Sequence, residues 1–351
     1  MSRGAPAGLG RAVVVGPTAW GTTLALLLAR NGVHTTLSCR TEDEAALLAR
    51  DGENRRRLPG SPFPEGLIVA SGAAGFRRAD LICLAIPSST MRENLARIAP
   101  DVTAGAIVLS ATKGIEPGSG LRMCELIQEA LPGRPVAALS GPNLSREVAA
   151  GLPGTTVIAS ASAGVAASVS RAFHSTSFRV YSSRDVVGVE LGGALKNVIA
   201  IASGIVDALG YGDNAKGAIL TRGLAEITRL GVAAGAEPST FYGLAGVGDL
   251  VASSYSPLAR NRRLGELLGR GLAAAQALAT LAETAEGVVT TPAALVLARR
   301  YRVEMPIAAG LSEILAGSSS PAEVVRSLME RESGPEVPSA LAARVSPGGA
   351  R

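Results

Sequence analysis

A change of period near residue 186 constrains this chain more than any other feature of its sequence. Before it, short apolar runs at 12–15, 33–38, 67–70, 80–86, 105–109, 135–139, 155–159 and 177–181 alternate with helical patterns such as 19–31, 41–50, 88–99, 118–131 and 162–173. Strands and helices taking turns predict a mostly parallel, doubly wound α/β sheet with helices on both faces. Beyond it the strand signals stop, and VELGGALKNVIAIASGIVDALG, RGLAEITRLGVAAG and TPAALVLARR run on as Ala-rich helical segments. The expected organisation is a flexible leader over 1–11, an α/β domain over 12–185, an all-α domain over 186–332 and a frayed Pro/Gly-rich tail over 333–351.

With 351 residues, 47% of them hydrophobic and 18% charged, the chain can build two cores. Its formal charge of +5 is modest, and the densest basic run, Arg55–Arg57, has no aromatic residues between its charges. That argues against a nucleic-acid face and fits an anionic small substrate. Cys39, Cys83 and Cys124 lie far apart and read as reduced packing thiols of a cytoplasmic protein. His34 and His174 alone form no ligand cluster, so no metal is expected. No secretory leader and no apolar run of 18 residues is read, so neither a signal peptide nor membrane insertion is expected. The apolar helical half could bury a homodimer interface or form only its own core; the sequence leaves both open.

The stretch VVVGPTAWGTTLALLLARNG, residues 13–32, starts as a dinucleotide-binding βαβ unit does, with a strand, a glycine turn and an apolar helix. The fingerprint G-x-G-x-x-G reads here as Gly16, Thr18, Gly21. Gly16 makes the tight turn and Gly21 lets helix and strand pack closely. Thr18 brings a Cβ and a hydroxyl to the place where the backbone normally approaches a pyrophosphate, and Pro17 has no N–H to donate. The helix N-terminus still favours an anion, and the Thr18 hydroxyl could add a bond. At the end of the second strand, LSCRT carries Arg40 where an NAD-specific site has an acid. Arg40 suits a 2′-phosphate, so NADP is expected to be accepted alongside or ahead of NAD.

Further clusters carry candidate chemistry. Lys113, in SATKGIEPGSG, follows a strand on the edge where α/β sheets bind ligands, or is a solvated loop lysine. In LSGPNLSREVAAGLP, Ser-Gly-Pro ends a strand and Asn143 reads as the N-cap of a helix, whose N–H groups could hold an anion or simply be capped. Lys196 sits in a helix that is apolar almost all round, either snorkelling or desolvated into a usable acid–base group. Asp249 lies in a Gly-rich turn, and Arg260 with Asn261 follows as a candidate phosphate clamp.

Together AWGTTLALLLARNG, NRRRLPG, ATKGIE, SGPNLSREVAAGLP, FRVYSSRDVVGVELGGALKNVIAIASGI, TRGLAEITRLG, GVGDL and ARNRRLG resemble, in order and spacing, the bacterial NAD(P)-dependent glycerol-3-phosphate dehydrogenases from about residue 12 to 332. The resemblance implies a Rossmann-type domain, a helical domain and an active site in the cleft between them. It implies reversible hydride transfer between glycerol 3-phosphate and dihydroxyacetone phosphate, supplying glycerol 3-phosphate for phospholipid synthesis. By likeness, Lys196 is the proton donor and acceptor, and Lys113 a catalytic and substrate-binding lysine that also meets the cofactor. Gly141, Asn143, Asp249, Arg260 and Asn261 would hold the substrate. Gly16, Thr18, Ala19, Trp20, Gly21, Arg40, Ser145, Arg260 and Glu286 would hold NADP or NAD.

The chain departs from that pattern at Pro17, at Thr18, at Asn143-Leu144-Ser145, at Ser253-Ser254 and at Ala259, where the family carries Ser. Two other readings therefore stand beside the first. One is a hydroxyacid or sugar-acid dehydrogenase, whose K-x-x-x-N is missing because position 200 is Ala. The other is a dinucleotide-binding protein without catalysis, or a diverged paralogue acting on another phosphorylated ketone.

Overall fold

The computed structural model describes residues 8–73, 75–281, 284–332 and 336. Most of the expected leader and nearly all of the expected tail lie outside the described residues. Strands β1 (Arg11–Val15), β2 (His34–Ser38), β3 (Leu67–Ala70), β4 (Leu81–Leu84), β5 (Ile107–Ser110), β6 (Val136–Ser140), β7 (Gly154–Ala159) and β8 (Phe178–Ser183) form one sheet in the order β3-β2-β1-β4-β5-β6-β7-β8. Each pair is parallel except β6–β7, which is antiparallel. The central strands β4 and β5 are buried at every residue, which is why they read as unbroken apolar runs rather than alternating ones. The strand order reverses between β1 and β4, which places a ligand crevice outside the carboxyl ends of those two strands.

Helices α1 (Ala19–Arg30), α2 (Glu42–Asp51), α3 (Met91–Ile98), α4 (Met123–Ala130), α5 (Ser145–Ala149) and α6 (Ala163–Phe173) accompany the sheet. The helical pattern at 118–131 shortens to α4. Gly118 and Gly120 stand at φ +82° and +68°, and that backbone ends any regular helix. The second half is helical from α7 (Val186–Ala208) onward: α8 (Gly212–Ala233), α9 (Pro238–Phe241), α10 (Asp249–Tyr255), α11 (Arg260–Gly269), α12 (Ala274–Leu281), α13 (Glu286–Tyr301), α14 (Pro306–Ala316) and α15 (Pro321–Met329).

Helix α7 is the axis of this half, buried at every residue from Gly188 to Val206. No apolar run of 18 residues is expected from the sequence, yet Val186–Ala208 reaches a mean hydropathy of 1.5 over 18 residues despite Glu190 and Lys196, and that window is wholly buried. A helix apolar all round belongs inside a protein core or a membrane, and here the other helices cover it. Asp185 fixes its start. One carboxylate oxygen accepts from Gly188 N at 2.8 Å, and the other accepts from Glu237 N at 2.9 Å and Thr240 Oγ1 at 2.6 Å. Helix α11 crosses α7 backbone against backbone: a Cβ on Gly204 would stand 2.0 Å from Arg262 O, and one on Gly265 2.0 Å from Ile201 O. This crossing brings the start of α11 to the middle of α7.

The glycine turn after β1 is equally tight. A Cβ on Gly21 would lie 2.0 Å from Gly16 O. Thr18 is the N-cap of α1: its Oγ1 accepts from Gly21 N and donates to Ala85 O, both at 2.9 Å. The hydroxyl thus joins the turn to the end of β4 and is committed within the fold. Thr18→Val keeps the shape and loses both bonds, so it is expected to lower unfolding free energy by about 1–2 kcal/mol in urea titration. No change would show that neither bond contributes.

Candidate active site

The centre of the cleft is a carboxylate between two lysines. Gly192 lets α7 approach the π-turn Leu244–Gly248, since a Cβ there would stand 2.6 Å from Ala245 O. That approach places Asp249, the first residue of α10, beside Lys196: Nζ to Oδ1 is 3.0 Å. The other oxygen, Oδ2, accepts from Lys113 Nζ at 2.6 Å, and the same ammonium donates to Gly141 O at 2.8 Å. Ser253, one turn after Asp249, accepts from Lys196 Nζ at 2.5 Å and donates to Asp249 Oδ1 at 3.4 Å. Sheet and helical halves therefore meet through one charge network.

Lys196 is 7% exposed and Asp249 2% exposed. Burial, chiefly, holds the Lys196 ammonium down at about 8, helped by the charges of Lys113 and Arg260 and opposed by Asp249. Two ammonium groups against one carboxylate leave a net positive charge facing the cleft, which suits an anionic substrate.

Arg260 opens α11, and its charge reaches both Lys196 and Glu286. The N-cap of α11 is Ala259, which has no side-chain acceptor, so no cap side chain competes for the helix's first N–H groups. Asn261 is partly committed elsewhere. Its Nδ2 donates to Asn197 Oδ1 at 2.8 Å, and its Oδ1 accepts from Gly287 N at 3.0 Å, tying α11 to α7 and α13. One Nδ2 hydrogen is left for a ligand.

Asn143 does not cap a helix. The N-cap of α5 is Leu144, while the Asn143 amide turns to β7, donating to Thr155 O at 2.8 Å and accepting from Thr156 Oγ1 at 3.0 Å. The open backbone edge of the adjacent strand outcompeted the local cap. Ser145 begins α5, and its carbonyl accepts from Thr23 Oγ1 of α1 at 3.1 Å.

At the sheet's switch point, Thr18 takes the N–H groups of Gly21 and Thr22. Those of Ala19 and Trp20 precede any intrahelical acceptor and lie at the positive end of α1, which favours an anion. The Trp20 indole Nε1 is buried without a protein partner among the described residues. Arg40, just past β2, is 77% exposed and pairs with Glu93 at 3.3 Å. Glu286, at the start of α13, reaches across the cleft and accepts from Ser88 Oγ at 2.6 Å. Burial pushes its carboxyl up, against the Ser88 bond and the charge of Arg260. Unpaired helix N–H donors, an orphaned indole and an exposed arginine past β2 fit a dinucleotide laid across β1 and β2.

Several participants escaped the sequence reading. Ser88 follows β4 on the ligand edge of the sheet, a position that topology alone marks. Glu190 stands six residues before Lys196 in α7, equally anomalous in an apolar helix. It accepts from Cys124 N at 2.8 Å and from Arg122 Nη1 at 2.5 Å, bracing the start of α4 against α7. The three cysteines are buried and unpaired, and burial pushes each thiol up, so none is poised as a nucleophile.

Residues 11–166 match the family described as NAD-dependent glycerol-3-phosphate dehydrogenase N-terminus, and residues 185–326 its C-terminus. The chain is 45% identical over 329 residues to a glycerol-3-phosphate dehydrogenase (NAD(P)+) of Streptomyces coelicolor, covering 93% of this chain and 98% of that one. With the enzyme so named in Chlorobium limicola it shares 44% over 328 residues, covering 92% and 98%. The crystal structure of a glycerol-3-phosphate dehydrogenase from Coxiella burnetii superposes with a TM-score of 0.89 at 36% identity, covering 92% of this chain and 99% of that one. With both halves matched and the fold shared along almost its whole length, this chain belongs to the NAD-dependent glycerol-3-phosphate dehydrogenase family.

Proposed function

We propose that this chain interconverts dihydroxyacetone phosphate and sn-glycerol 3-phosphate, with NADP or NAD as the hydride partner. The observation that carries the reading is the lysine pair, Lys196 buried and Lys113 partly so, sharing Asp249 at the carboxyl edge of the sheet and beside Arg260. The bound nicotinamide supplies or accepts the hydride.

In the reducing direction, negative charge grows on the carbonyl oxygen of the ketone. Lys196, held near pH 8, is mostly protonated at neutral pH and gives up its proton at low cost. Lys113 stabilises the same oxygen electrostatically. Asp249 keeps both ammonium groups in place, and Ser253, bonded to both Lys196 and Asp249, steadies the pair. Arg260, the remaining Asn261 hydrogen and the first N–H groups of α11 take the substrate phosphate. Anchoring that remote group orients the reacting carbon. Gly141 acts through its carbonyl, which fixes Lys113. Gly16, Gly21, Ala19 and Trp20 would hold the cofactor at its pyrophosphate, Arg40 would meet its adenosine ribose end, and Glu286 with Ser88 would border it across the cleft.

The retained lysines, Asp249 and Arg260 support turnover over a purely binding role, and Ala200 leaves the hydroxyacid dehydrogenase pattern incomplete. Thr18, Asn143 and Ala259 are accommodated as local substitutions: two are hydrogen-bonded within the fold, and the third leaves helix donors uncapped.

Lys196→Ala is expected to cut the rate of dihydroxyacetone phosphate reduction by about 10²–10⁴-fold while the protein stays folded. In the wild type, reduction needs protonated Lys196, so its rate should fall as pH rises through about 8. Glycerol 3-phosphate oxidation, which needs the neutral amine, should rise through the same range. A near-normal rate in Lys196→Ala at 340 nm overturns the assignment. For the cofactor, Arg40→Asp should weaken NADPH relative to NADH by about 10–100-fold in kcat/KM, the worth of a charge-assisted phosphate contact. An unchanged ratio would place the 2′-phosphate elsewhere.

A further inference from the structure

The end of α13 remote from the cleft carries a second concave surface. Leu295, Val303, Met305 and Pro306 wall a surface cavity of about 350 Å³, and Arg299, Arg302 and Arg331 rim it. This volume lies within the range of small-molecule sites, and an apolar wall with a few convergent charges is their usual make-up. Against these three arginines the lining holds one carboxylate, Glu304, which pairs with Arg331 at 3.0 Å. The charge is therefore left positive. The N-terminal donors of α14 do not account for it, because Glu226 accepts from Ile307 N and Ala308 N, each at 3.0 Å.

Arg302 adds a second, independent sign. It is the C-cap of α13 at φ +54°, the one non-glycine residue with positive φ among the described residues. Glycine is the residue that this position favours, and the chain uses it at the corresponding ends of α2 and α14, Gly52 and Gly317. A strained backbone kept for a particular side chain points to what that side chain does. Along α13 the rise of the helix puts Arg299 about 20 Å from Glu286, so this surface is distinct from the cleft.

We propose that this cavity binds an organic anion with a phosphate or carboxylate head, held by Arg299 and Arg302, and a short apolar body lying on Leu295, Val303 and Met305. The test uses hexyl phosphate in titration calorimetry, on the full chain carrying Arg260→Ala so that the cleft's own phosphate clamp is removed. Binding of one equivalent is expected, with inorganic phosphate binding more weakly. Adding Arg299→Ala, or adding Arg302→Gly, should each lower the affinity for hexyl phosphate by about tenfold or more, the worth of one charge-assisted contact. Arg302→Gly suits the backbone it replaces, so its Tm should stay the same or rise by about 1–2 °C, which separates lost binding from lost folding. Absence of binding to the Arg260→Ala protein, or equal affinity with and without Arg299 and Arg302, would overturn the site. Equal affinity for inorganic and hexyl phosphate would overturn the apolar half of the proposal.

Discussion

One buried carboxylate shared by two ammonium groups is the interaction on which the rest of this molecule turns. Asp249 lies 2.6 Å from the Lys113 ammonium and 3.0 Å from that of Lys196. Lys113 belongs to the sheet half, while Lys196 and Asp249 belong to the helical half. Without the carboxylate, the buried Lys196 ammonium would stand beside a like charge, and leaving a buried charge uncompensated costs about 3–5 kcal/mol. With it, the network stays one charge positive, so an anionic substrate completes the compensation instead of adding to a deficit. The same sharing tunes the chemistry: burial and Lys113 pull Lys196 down, Asp249 pulls it up, and the balance falls at about 8.

Backbone approaches place that network. Glycines in α7 let it lie against the π-turn before Asp249 on one side and against α11 on the other. Arg260 and Asn261 reach the site because α11 crosses α7 without side chains between them. The glycine turn after β1 follows the same logic with a different solution. Where the fingerprint has a glycine, Thr18 stays because its hydroxyl caps α1 and holds the end of β4, leaving the helix's first two N–H groups for a ligand.

The sheet was legible because strands buried on both faces are unbroken apolar runs, and α7 because it is apolar on every side. Lys196 was legible as a charge where a charge is costly. What could not be read are relations between distant segments. Lys113 and Asp249 are 136 residues apart, and Ser88 and Glu286 are 198 apart. Asn143 and Asn261 show the limit most clearly. Each is a reasonable cap or clamp from its neighbours in sequence, and each spends its amide on an element that only tertiary structure brings alongside, β7 for one and α7 with α13 for the other. Glu190 was in plain view in α7, but its meaning depends on Arg122.

The most direct test is to titrate the Lys196 side chain itself by NMR of protein labelled with ¹³C-lysine, identifying its signal by its loss in Lys196→Ala. The shared carboxylate predicts a midpoint near 8 in the free protein and a lower one in Asp249→Asn, where the charge that favours the ammonium is gone. A midpoint at the ordinary lysine value of about 10.4, unmoved by Asp249→Asn, would contradict it.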